Sequence, residues 1–112
     1  MTLPIDPAAL QQMAEQATLF LRSVANRDRL LLLCQLVDGE RSVGALEAAT
    51  GVRQPTLSQQ LAVLREEGLV ATRRDGKFIH YSLASAEVLQ LLQLLHGLFC
   101  AAPAATRKRN VR

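Results

Sequence analysis

A chain of 112 residues, 49% apolar and only 4% aromatic, is long enough for one modest core built from Leu, Ala and Val, which favour helices over sheets. The formal charge of +3 is unevenly placed: residues 1–105 carry nine basic and ten acidic residues, and 106–112 add four basic ones, so a generally basic nucleic-acid binder is excluded and any DNA site must be a local patch. No apolar run reaches the roughly 18 residues of a membrane span and the start lacks a secretory pattern, so a cytoplasmic protein without membrane contact is expected, in which two cysteines do not form a disulfide framework by default.

Asp6-Pro7 opens a first helix, with an N-cap side chain followed by Pro at the first helical position. Leu10, Met13, Ala14, Ala17, Phe20, Leu21 and Val24 form one stripe at three- and four-residue steps, and the helix is expected to end near Ser23. Asn26 caps a second helix, RDRLLLLCQLVD, which stops before Gly39. Its leucine run is apolar on nearly all sides, so it reads as a central core helix with Cys34 in its middle. Ser42 caps a third helix closed by Gly51. Pro55 is placed as the first residue of a fourth, with Leu57, Leu61 and Leu64 facing inward and Gly68 ending it. Two short helices joined by a tight turn are the helix-turn-helix pattern.

Residues 69–74 and 77–83 have strand character, and Asp75-Gly76 between them is a strong hairpin signal for a type I′ turn. Ser85 caps a last helix, AEVLQLLQLLHGLFC, too apolar to lie on a monomer's surface; half is expected to pack on its own domain and half on a partner chain. The predicted fold is mainly α with a two-stranded β-wing: four helices, two strands and a fifth helix, a winged helix-turn-helix that pairs as a homodimer through its first and last helices. Residues 1–102 form that single DNA-binding and dimerisation domain, and 103–112 are expected to be a basic, disordered tail.

The local basic patch exists: residues 53–77 hold five basic and three acidic residues. A helix in the major groove reads bases near its N-terminus, which here means Gln54, Pro55, Thr56, Ser58 and Gln59. Gln pairs bidentately with adenine, and Ser and Thr bond to several base edges or to phosphate. Arg73, Arg74 and Lys77 flank the wing tip and suit phosphate and minor-groove contact. The bland alternative is a polar helix face and a charged hairpin that only meet solvent. No nucleophile–base pair, phosphate loop or carboxylate pair is present, so no enzyme is expected.

The segments SVGALEAATGVRQPTLSQQLAVLREEGLV and RRDGKFIHYSL resemble the ArsR/SmtB family of dimeric bacterial repressors across helix, strand and wing in the same order. The resemblance implies a double-stranded inverted-repeat operator as partner and places Gln54, Ser58 and Gln59 at the family's base- and backbone-contacting positions. Many members carry Ser where Pro55 stands and His where Gln59 stands, and this chain departs from both. Metal-sensing members carry Cys-x-Cys in the second helix, whose first position here is Leu32, and others use Asp and His pairs on the last helix, where this chain has Glu87 and His96. Neither set is complete, so no metal and no cofactor are expected. What remains is Cys34 and Cys100, which resemble the dithiol, persulfide-sensing subgroup; that resemblance implies reactive sulfur species as the signal, a disulfide or polysulfide link between the two, and control of sulfide-detoxification genes. Taken by itself, Cys34 inside LLLLCQL reads as a small buried hydrophobe. His96, one helical turn before Cys100, is open to three readings: tuning a thiol, ligating a metal or filling an interface. A metal or general-oxidant sensor and a redox-insensitive anti-silencing protein are the alternatives.

Overall fold

The computed structural model describes residues 6–100. Its elements are α1 (Pro7–Val24), α2 (Arg27–Gln35), β1 (Arg41–Ser42), α3 (Val43–Thr50), α4 (Thr56–Glu66), β2 (Val70–Asp75), β3 (Phe78–Leu83) and α5 (Ala86–Phe99). The basic tail, with residues 101 and 102 of the expected domain, lies outside the described residues.

Side-chain caps set most helix starts. Asp6 accepts from the Ala8 N–H, Asn26 from Arg29, Ser42 from Ala45 and Ser85 from Val88, each satisfying a donor with no partner inside the helix. The end of α4 decides where the wing begins. Gly68 has φ 77°, the Leu69 N–H donates to the Leu64 carbonyl and Gly68 N–H to the Arg65 carbonyl. This two-bond closure turns the chain sharply and delivers buried Leu69 and Val70 to the start of β2.

The core is a leucine cluster. Leu32, Leu33, Leu46, Leu57, Leu61, Leu64 and Val88 are its most deeply buried side chains, so α2, α3, α4 and α5 each present one face to a common centre. A different apolar surface stays outside. Leu94, Leu98 and Phe99 on α5 are 57, 56 and 60% exposed, and Met13, Leu19 and Leu21 on α1 are at least half exposed. Of the stripe expected on α1, only Val24 is buried.

Four expectations need correction. The sheet has three strands in the order β1-β3-β2: Arg41 pairs with Tyr81 and Ser42 with His80, an edge strand of two residues too short to carry a period-two pattern. The wing turn places Asp75 opposite Phe78 inside the ladder, leaving Gly76-Lys77 as the loop, and Gly76 alone has positive φ, at 64°. A type I′ turn needs positive φ at both central positions, so the loop follows the glycine-first pattern instead. Pro55 is the N-cap of α4 rather than its first helical residue. Finally, α2 ends at Gln35, not at Asp38, and Cys34 near its end is exposed because Leu32 and Leu33 take the inward positions.

Candidate DNA interface and thiol site

Pro55 has no side-chain hydrogen bond to offer as a cap, and Gln54 supplies one: its Oε1 accepts from the Ser58 N–H at 3.1 Å. That bond closes the first turn of α4 and turns the Gln54 oxygen back onto its own helix, with one of its two lone pairs used. Gln54, Pro55, Ser58 and Gln59 are exposed and Thr56 is half-buried, so these five share one outward end of α4 while Leu57, Leu61 and Leu64 hold its other face in the core. Gln54 and Thr56 also line a shallow cleft of about 360 Å³ with Arg27, Asp28 and Arg53. Sequence reading missed Arg27 and Arg53 as members of this surface. They belong to separate elements, and only the fold brings the start of α2 beside the turn before α4.

At the wing, Arg73 is not an isolated cation. Its Nε donates to Glu40 Oε2 at 2.9 Å and its Nη2 to Glu40 Oε1 at 2.7 Å. The Arg73 hydrogen bond, followed by the charges of Arg73 and His80, holds the Glu40 carboxyl below its usual range although desolvation opposes this. Arg74 reaches only to the Gly76 carbonyl at 3.4 Å, and Arg74 and Lys77 are exposed at the hairpin end.

Cys34 and Cys100 are both exposed thiols. Cys34 lies near the C-terminus of α2, and Cys100 caps α5, its N–H donating to the His96 carbonyl at 2.8 Å. Partial desolvation by the walls of its cleft pushes the Cys34 thiol above its ordinary pKa, and the negative charge of a Cys100 thiolate pushes it further the same way. The two cysteines are 66 residues apart in sequence, and the fold brings them near enough for a Cys100 charge to be felt at Cys34. Cys34 opens onto a cleft of about 460 Å³ lined by Val37, Asp38, Leu92, Gln93 and His96. His96 thus shares the cleft with Cys34, but it is not among the causes that move that thiol. Among the described residues no cluster of three or more His, Cys, Asp or Glu side chains is arranged to hold a metal ion, and no helix is long and apolar enough to cross a membrane.

A helix-turn-helix whose second helix presents a polar end, followed directly by a β-wing, defines a winged helix-turn-helix DNA-binding protein. Residues 26–72 match the family model for bacterial regulatory proteins of the arsR family. The chain is 48% identical over 93 residues to the biofilm growth-associated repressor of Agrobacterium fabrum, spanning 83% of this chain and 80% of that one. The crystal structure of the transcriptional repressor BigR from Xylella fastidiosa superposes with a TM-score of 0.80 at 45% identity, covering 91% of this chain and all of the other. A homodimeric winged helix-turn-helix DNA-binding domain from Mycobacterium bovis, a possible ArsR-family regulator, superposes at 0.66 with 34% identity, covering 88 and 89%. The chain belongs to the ArsR family; it is a transcriptional regulator and not an enzyme.

Proposed function

We propose that this protein is a cytoplasmic, homodimeric repressor that releases its operator when Cys34 and Cys100 become linked by reactive sulfur species, and that it controls sulfide-detoxification genes. The observation that carries this reading is the cleft that Cys34, near the end of α2, shares with Leu92, Gln93 and His96 of α5, the helix that Cys100 caps. The names of similar proteins as repressors support the direction of control.

The chemistry balances without a metal. A low-molecular-weight persulfide transfers its outer sulfur to one cysteine thiolate and leaves as a thiol. The resulting cysteine persulfide is attacked by the other thiolate, which forms a disulfide and expels hydrogen sulfide. When both cysteines carry a persulfide, the same attack gives a trisulfide and hydrogen sulfide. A direct disulfide requires Cα atoms roughly 4.4–6.8 Å apart, whereas a chain of three sulfurs spans a wider gap with less strain.

The exposed apolar faces of α1 and α5 are the surfaces a second copy would cover. Two copies then place two α4 helices about one DNA turn apart, against an inverted repeat. Gln59, Ser58 and Thr56 read base edges, Gln54 and Pro55 shape the start of the helix, and Arg74 and Lys77 meet phosphates. Arg73 joins them when it leaves Glu40, and Arg27 and Arg53 add charge from the cleft beside Gln54. Linking α2 to α5 shifts the angle between subunits, and a differential of about 1–3 kcal/mol changes operator affinity 5- to 150-fold.

Mass spectrometry after treatment with glutathione persulfide, hydrogen peroxide or zinc tests the reading. Bridged Cys34–Cys100 peptides, including species one or two sulfur atoms heavier than the disulfide, together with loss of DNA binding, are expected with the persulfide. Crosslinking by peroxide alone, stoichiometric zinc binding, or Cys34→Ser and Cys100→Ser variants that respond like the wild type would overturn it.

A further inference from the structure

Arg29 ties three helices together through one guanidinium. It stands in the first turn of α2, where its N–H donates to the capping Asn26 Oδ1 at 3.0 Å. Its side chain turns back to the end of α1. Nε donates to the Ser23 carbonyl at 2.7 Å and Nη2 to the Arg22 carbonyl at 3.3 Å, two groups whose helical donors would lie beyond the last residue of α1. The third contact goes elsewhere: Nη1 donates to Gln60 Oε1 at 2.8 Å, in the middle of α4. A second, weaker tether runs from Ser23 Oγ, whose one proton is shared with the Leu19 carbonyl at 3.1 Å, to Glu67 Oε1 at 3.2 Å. Gln60 and Glu67, the C-cap of α4, are two helical turns apart, so they lie on one side of that helix; Arg29 of α2 holds that side at Gln60 and Ser23 of α1 holds it at Glu67.

These bonds join elements with different duties. Helix α1 carries part of the exposed apolar surface, α2 carries Cys34, and α4 carries the polar end beside the wing. A planar, always-charged guanidinium with donors in a rigid fork transmits orientation better than a flexible ammonium. A change in the angle between α1 or α2 and the rest of the domain therefore reaches α4 through Arg29 as well as through the close-packed leucine core, which transmits strain.

We propose that Arg29 is a positioning residue for DNA recognition: through Gln60 it fixes the tilt of α4 relative to α1 and α2, and so the half-site spacing that the dimer accepts. The inference rests on the reading that α4 enters DNA and that α1 and α5 pair the subunits. Gln60→Leu keeps the volume and removes the acceptor, and Arg29→Lys keeps the charge and removes the fork. The probe is a duplex selected by the wild-type protein from a randomised pool, then remade with one base pair added or removed between its half-sites.

Both variants are expected to unfold within a few degrees of the wild type and to bind the selected duplex roughly 5- to 30-fold more weakly, about 1–2 kcal/mol. They should bind the re-spaced duplexes nearly as well as the selected one, while the penalty for changing a base inside a half-site stays as in the wild type. Combining the two substitutions should cost no more than either alone. An undiminished spacing preference, or additive losses in the double variant, overturns the proposal, and Gln60→Leu decides alone if Arg29→Lys does not fold. Failure of the wild type to select any duplex overturns instead the DNA reading beneath it.

Discussion

Glu40 and Arg73 meet in a fork of two hydrogen bonds, 2.9 and 2.7 Å long, which fastens the segment entering β1 to the middle of β2. Arg73 lies opposite His80 on β3, and His80 lies opposite Ser42 on β1, so the carboxylate reaches past the central strand β3 to a cation two strands away. The pair competes directly with phosphate for Arg73. Glu40→Gln should release that competition, raising affinity for any duplex at low salt and steepening the slope of log affinity against log salt by about one phosphate contact. Anisotropy titrations of a random duplex across a salt series measure it, and an unchanged slope means that Arg73 only clamps the wing.

The same pair sets a pH dependence. The Arg73 hydrogen bond lowers the Glu40 pKa in the folded protein, so the contribution of the pair to wing stability is present above the carboxyl's unfolded pKa. It is lost as pH falls through the lower, folded value. Amide exchange at β1 and the start of α3 should therefore accelerate only on the acid side of the ordinary carboxylate range, and Glu40→Gln should remove that step. Both groups are exposed, so salt is expected to weaken the effect.

The order of helices and strands was legible because its punctuation is local. Asn26, Ser42 and Ser85 mark helix starts by their own hydrogen bonds, and Gly51 and Gly68 mark ends because each adopts positive φ. What escaped sequence reading depends on distance in space. The strand at Arg41 exists only because β3 lies beside it. Cys34 could not be told from a core residue by its leucine neighbours, since Leu32 and Leu33 fill the interior and turn it outward. Arg73 reads as a phosphate ligand until the fold sets Glu40, 33 residues away, against it.

Cys34 and Cys100 should differ in reactivity. Partial desolvation and the Cys100 charge both raise the Cys34 pKa, so at neutral pH Cys34, although exposed, holds less thiolate than a fully hydrated cysteine and reacts more slowly with iodoacetamide. Its rate should keep rising with pH beyond the usual thiol range. Cys100→Ser removes the second cause and should shift the alkaline part of the Cys34 profile, where Cys100 would be a thiolate, to lower pH. A profile indifferent to Cys100→Ser would mean that the sulfurs do not sense each other in solution.

The exposed end of α5 predicts the oligomeric state. Leu98 and Phe99 are 56 and 60% exposed, and in a two-fold interface each substitution acts twice. Leu98→Glu forfeits about 1.5–3 kcal/mol of apolar burial per copy and adds a carboxylate that resists desolvation. The dimer dissociation constant should rise by on the order of 100-fold or more by this reckoning. Sedimentation at micromolar concentration should give a dimer for the wild type and a monomer for the variant; equal masses would move the interface off α5.

Stability should divide between the core and the corner that carries Arg29. Leu64 is 0% exposed, and its carbonyl receives the Leu69 N–H that closes α4. Leu64→Ala keeps that backbone bond but leaves a cavity among the other leucines, which costs about 2–5 kcal/mol, a large share of the roughly 5–15 kcal/mol of a small domain. Asn26→Ala removes a single N-cap acceptor at the start of α2 and should cost about 1 kcal/mol. Urea unfolding should show the first variant with a far lower midpoint and an unaltered slope, the second with a small shift. Because Asn26 bonds the backbone of Arg29 while the Arg29 side chain holds α1 and α4, a loss from Asn26→Ala as large as that from Leu64→Ala would show that the cap and the guanidinium contacts open together, making the corner a cooperative unit of the fold.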